Sequence, residues 1–162
     1  MSNNDSQVDQ VWSLIDEIKV AMVVTHSGSG DALRARPMAT HIDADANTIY
    51  FLTDAYSRKD DEVAANSNVC LAFADVKGQK YVSLTGSARV SNDREKIRQL
   101  WSIADKAFWK DYNDPAIRLL VVEPEIAEYW KGAGMVLTYV KMISAGVTGV
   151  RAELNDNRQV RL

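Results

Sequence analysis

The sequence, 162 residues long, suffices for one domain with a sizeable core and no staples. Its composition, 46% hydrophobic and 25% charged, is that of an ordinary globular chain. A formal net charge of −3 excludes a general attraction to nucleic acid or anionic membrane, so a dianionic ligand would need a local basic cluster.

The first residues, MSNND, are polar and expected to fray. They are no signal peptide, and no apolar run is long enough to span a bilayer, so a cytoplasmic protein is expected. Ser6 with Asp9 marks a helix start, and Val8, Val11, Leu14, Ile15 and Ile18 follow at helical spacing. Val20 to His26 is a short apolar strand, turned back by Gly28-Ser29-Gly30-Asp31 as a hairpin. In the next strand alternation puts Arg34, Arg36, Met38, Thr40 and Ile42 on one face. Pro37 lacks a donor and marks that strand as an edge or as open to a ligand. Asp43 to Asn47 is turn chemistry, and Thr48 to Thr53 is strongly β-prone. Ser57-Arg58-Lys59 then opens a short helix, DDEVAAN, with Ser57 and Asp60 as a capping-box variant.

Val69 to Ala74 reads as a buried strand in which Cys70 is a buried thiol; a single cysteine rules out an internal disulfide and fits a reducing compartment. Tyr81 to Ser91 is the clearest strand, with Val82, Leu84, Ala88 and Val90 on one face and a bulge or bend expected at Gly86. Asp93 caps a helix whose apolar stripe is Ile97, Leu100, Trp101 and Ala104. Phe108, Trp109 and Tyr112 extend an aromatic surface as far as Asn113-Asp114-Pro115. Ile117 to Glu123 is a strand ended by Pro124, and Glu125 to Trp130 a further extended segment. Lys131 to Gly134 is expected as a loop, Met135 to Val147 as a helix, and Glu153 to Leu162 as a loose tail. Some six strands with helices inserted make an α+β chain, mainly β, built as a small antiparallel barrel. Patterning alone does not separate a split barrel from an OB-type barrel.

Chemistry is sparse. His26 and His41 have no partners at metal-ligand spacing and read as surface histidines. No nucleotide-binding glycine loop or nucleophile elbow is present. The specific feature is an ordered set: R-x-R-P-M on one strand (Arg34 to Met38), F-x-T closing the next (Phe51 to Thr53), and S-R-K at the following helix start (Ser57 to Lys59). A hydroxyl, a lysine and unpaired N–H groups at one place suit a phosphate.

With that set, and Glu128-Tyr129-Trp130 matching an E-[FY]-W stretch, the chain resembles the FMN-binding split-barrel family typified by pyridoxamine 5′-phosphate oxidase, in its general stress protein branch. The resemblance runs from about Val11 to Trp130 and implies a six-stranded antiparallel split barrel as a single domain over residues 1–162. It implies FMN as cofactor, with Arg36, Thr53, Ser57, Arg58 and Lys59 toward its phosphate and ribityl chain. Pro37, Met38, Ala39, Thr40 and Leu52 would run along the flavin, and Trp130 would border it. It also implies a homodimer with flavin at the interface. Reduction of the flavin by a nicotinamide nucleotide is the activity expected, and carriage or sensing without turnover the alternative. A nucleic-acid-binding barrel is disfavoured by the net charge and by the lack of an aromatic-basic stripe. The family's basic C-terminal segment is replaced here by KGAGMVLTYVKMISAGVTG, so a poor pyridoxamine 5′-phosphate oxidase is expected.

Overall fold

The computed structural model describes residues 3–27, 31–57, 59–132 and 155–162. Eight strands occur among them: β1 (Val20–His26), β2 (Leu33–Ala39), β3 (His41–Asp43), β4 (Thr48–Asp54), β5 (Asn68–Asp75), β6 (Lys80–Ser91), β7 (Ile117–Gly132) and β8 (Asn155–Arg161). With them are helices α1 (Asn3–Ile18), α2 (Lys59–Ala65) and α3 (Arg94–Leu100), and a 3₁₀ turn at Ile103–Ala107. The strands pair antiparallel in the order β2-β1-β5-β6-β7-β4-β3, with β8 on the far half of β7. β2 and β3 stand at opposite ends of that order, yet Thr40 alone separates them in the chain. The sheet must therefore curl until its two edges meet, and among the described residues no ladder closes the gap between them. This is a split barrel.

Alternation fills it. Val23, Leu71, Phe73, Val82, Leu84, Phe51 and Leu120 point inward, and α1 closes one end with Val11, Leu14 and Ile15, its residues at i, i+3 and i+4. A second, smaller cluster lies outside β4 and β7, where Ile97 of α3 packs on Ile117, Leu119 and Val121, with Trp101 and Trp109 beside it. β7 is thus covered on both faces, which is why it reads as an unbroken apolar run. Trp101 takes the structural place expected for it.

Several expectations are corrected. The arginine-bearing strand breaks at Thr40, because its N–H and its hydroxyl both donate to the Lys19 carbonyl at 2.9 Å instead of joining a ladder. β7 does not stop at Pro124. It runs on to Gly132, through the residues expected as loop at Lys131-Gly132, because a bulge opposite Gly86 takes up the imino acid. The carbonyls at the bulge find other donors: Asn47 Nδ2 donates to Pro124 O and Leu162 N to Glu125 O. The tail is not loose between Asn155 and Arg161, where β8 pairs with β7 and Val160 is buried. Strand β3 and strand β8 account for eight strands rather than six. Helix α3 ends at Leu100, short of Ala104. Cys70 is half-buried rather than buried, because Val69, Leu71 and Phe73 take the inward positions of β5. The helix expected from Met135 to Val147 lies outside the described residues.

Candidate flavin cavity in the split of the barrel

A cavity of about 350 Å³ opens where the two edges of the sheet meet. Pro37, Met38 and Ala39 of β2 and His41 of β3 line it from the edge strands. Leu52, Thr53 and Asp54 line it from the end of β4, and Ser57 from the turn before α2. Asp105, Phe108 and Trp109 form the remaining wall. The size lies within the range of small-ligand pockets, roughly 300–1,000 Å³.

Six residues singled out in the sequence thus meet at one place: Pro37, Met38, Ala39, Leu52, Thr53 and Ser57. Thr53 is buried, and its Oγ1 lies 3.3 Å from Ser57 Oγ, so two hydroxyls share one end of the cavity. Leu52 and Met38 give it apolar sides. Of the described others, Arg36, Thr40 and Trp130 do not line it. Thr40 is spent on Lys19. Trp130 sits at the opposite end of β7, paired with Tyr81 and Asn157, whereas β4 meets β7 at Leu119 and Leu120. Lys59 is the first residue of α2; its side chain, and Arg58 altogether, lie outside the described residues.

Arg36 faces the barrel side, not the cavity. Its Nη2 donates to both carboxylate oxygens of Glu62, at 3.0 and 2.8 Å, and Nη1 to Thr25 Oγ1 at 3.3 Å. Thr25 Oγ1 in turn donates to Glu62 Oε2 at 2.8 Å. Glu62 is 2% exposed, and burial pushes its carboxyl up. The Arg36 guanidinium, the Thr25 hydroxyl and the Arg34 charge outweigh burial and hold it below the usual carboxylate range. This network ties α2 to β1 and β2 and so sets where the Ser57 turn stands.

The whole-chain comparisons agree with this architecture. The model of the family described as pyridoxamine 5′-phosphate oxidase like matches residues 6–153. The chain belongs to that family. General stress protein 26 of Bacillus subtilis is 26% identical over 132 residues, 76% of this chain and 87% of that protein. A protein of Jannaschia sp. CCS1 classed with general stress protein 26 superposes with a TM-score of 0.78 at 22% identity, covering 99% of this chain and all of the other. The general stress FMN/FAD binding protein of Xanthomonas citri superposes with a TM-score of 0.68 at 22% identity, over 78% of this chain and 89% of that one.

In this member of the pyridoxamine 5′-phosphate oxidase-like family, the wall made by Asp105, Phe108 and Trp109 was not foreseen as part of a site. Its signal is a spacing of i, i+3, i+4 between α3 and β7, which reads equally well as surface. Asp105 Oδ2 accepts from both Ser102 N and Ser102 Oγ at 2.7 Å, which locks the turn. His41 is half-buried in the cavity rather than on open surface; burial lowers its pKa and the nearby Asp105 charge raises it, with burial the stronger. Among the described residues no group of His, Cys, Asp and Glu could hold a metal ion, and no helix is long and apolar enough to cross a membrane.

Proposed function

We propose that this protein binds FMN in the split of its barrel and serves as a redox flavoprotein of the general stress protein 26 group. The observation that carries this reading is the cavity itself: apolar sides on β2 and β4, aromatic rings of Phe108 and Trp109 opposite, and the Thr53–Ser57 hydroxyl pair at one end. That set fits a planar ring with a phosphorylated polyol, and the Xanthomonas citri relative is named for binding FMN/FAD. Met38, Ala39 and Leu52 would lie along the ring, and Thr53, Ser57, Arg58 and Lys59 would hold the ribityl phosphate. The flavin, when bound, supplies the capacity to accept and pass on electrons. The chain's own residues bind it, orient it and exclude water.

The test is spectroscopic. FMN added to the purified protein should give a bound-flavin spectrum, and Lys59→Ala should weaken its affinity about 10–150-fold, the loss of one charged hydrogen bond worth roughly 1.5–3 kcal/mol. Equal affinity in an intact fold would remove Lys59 from the site. Anaerobic mixing of the loaded protein with reduced nicotinamide nucleotide separates an oxidoreductase from a carrier that only holds flavin.

The reading includes a homodimer. Val20, Met22 and Leu33 lie exposed on β1 and on the edge strand β2, the last at 61%. A second copy would cover these side chains and close the open flank of the cavity. Light scattering at low micromolar concentration should return about twice 18.0 kDa; a monomer would sink the interfacial arrangement. The free cysteine suits a reducing cytoplasm.

A further inference from the structure

We propose that Asp105 tunes a flavin held in this cavity, making it harder to reduce than it would be without that carboxylate; the inference rests on the flavin reading above. Among the described residues, the ionisable groups lining the cavity are Asp54, Asp105 and His41. Two are carboxylates. Burial keeps His41 on the neutral side of its ordinary value, so it does not cancel them. Asp54 lies at the hydroxyl end, next to Thr53, with Oδ1 accepting from Tyr56 N at 2.8 Å. Asp105 stands in the aromatic wall with Phe108 and Trp109, and its two contacts to Ser102 fix the carboxylate in place.

A flavin that takes up two electrons and one proton gains one negative charge on its ring. A fixed carboxylate in a partly enclosed wall repels that charge more strongly than it would in water, because the effective dielectric there is lower. The oxidised ring carries no such charge and is held without that penalty. Asp105 therefore favours the oxidised flavin, and its effect falls on the potential rather than on binding as such.

The experiment loads the wild type, Asp105→Asn and Ser102→Ala with FMN and titrates each anaerobically with dithionite against reference dyes. In Asp105→Asn the two-electron midpoint should rise by about 30 mV or more, equivalent to a tenfold gain in relative affinity for the reduced form. In Ser102→Ala, which removes a hydrogen bond from the same turn and keeps the charge, the midpoint should stay near wild type. Asp105→Ser, a second neutral variant, covers the case in which asparagine disturbs the turn. A midpoint unchanged in both neutral variants with FMN bound overturns the role of Asp105 and leaves the flavin reading standing. So does a shift in Ser102→Ala as large as in Asp105→Asn, since the turn and not the charge would then be responsible. Failure of the wild type to bind FMN overturns both.

Discussion

Arg36→Ala should lower the melting temperature by roughly 6–12 °C, the equivalent of about 3 kcal/mol at 2–4 °C per kcal/mol for a domain of this size. The loss comes from the partner left behind. The Glu62 side chain is 3% exposed, and without the guanidinium its charge keeps only the Thr25 hydroxyl as a hydrogen-bond partner in that network. Breaking a buried pair from one side costs about 3–5 kcal/mol. The lower end applies because Arg36 is itself 27% exposed and water can reach the gap.

The pH dependence gives a second readout. In the wild type Glu62 is held below its ordinary value of 4.5, so its contribution to stability is present above that pH and lost as the pH falls through the lower folded value. In Arg36→Ala burial is the largest influence left, and it favours the neutral acid. The gap in stability between the two proteins should therefore be widest near neutrality, begin to narrow above 4.5 as the variant's buried carboxyl takes up its proton, and narrow further below 4.5 as the wild type loses the contribution of Glu62. Thermal melts at a series of pH values check this. A constant gap would mean that Arg36 stabilises through packing alone.

Gly86→Ala should be nearly as damaging, for a steric reason. A Cβ at this position would lie 2.3 Å from the Glu123 carbonyl oxygen and 3.0 Å from Pro124 Cα. Both are backbone atoms of the facing strand, so no side chain can swing aside. Overpacking of this kind costs typically about 1–3 kcal/mol, and the top of that range applies where the backbone itself must shift. The damage would centre on the β6–β7 ladder, which carries both halves of the barrel. Urea unfolding should show a lower midpoint with little change in slope. A midpoint equal to wild type would show that the bulge can open without cost, and would detach Gly86 from the passage of β7 through Pro124.

Much of the barrel was legible in the chain because its determinants are local. A short apolar run placed β1, and period-2 alternation β6, within a residue of their ends, and the Asp93 side chain caps α3 by accepting from Lys96 N as its residue type predicts. Part of the ordered set from Arg34 to Lys59 was also readable, since turn and strand chemistry bring Pro37, Met38, Leu52, Thr53 and Ser57 close through neighbouring elements. What local chemistry does not encode is where the sheet's edges meet. Thr40 looked like one more alternating residue, and only the Lys19 carbonyl, 21 residues away, makes it a break. Arg36 read as a ligand for phosphate, because a sequence shows a charge and not its partner; the fold delivers Glu62 to it from α2. Asp105, Phe108 and Trp109 reached the cavity through the packing of α3 and the turn on the outer face of β4 and β7. The residue types and their alternation determined the strands, their faces and half of the cavity. Curling of the sheet, which depends on contacts between residues distant in sequence, decided the other half and the ion pair behind it.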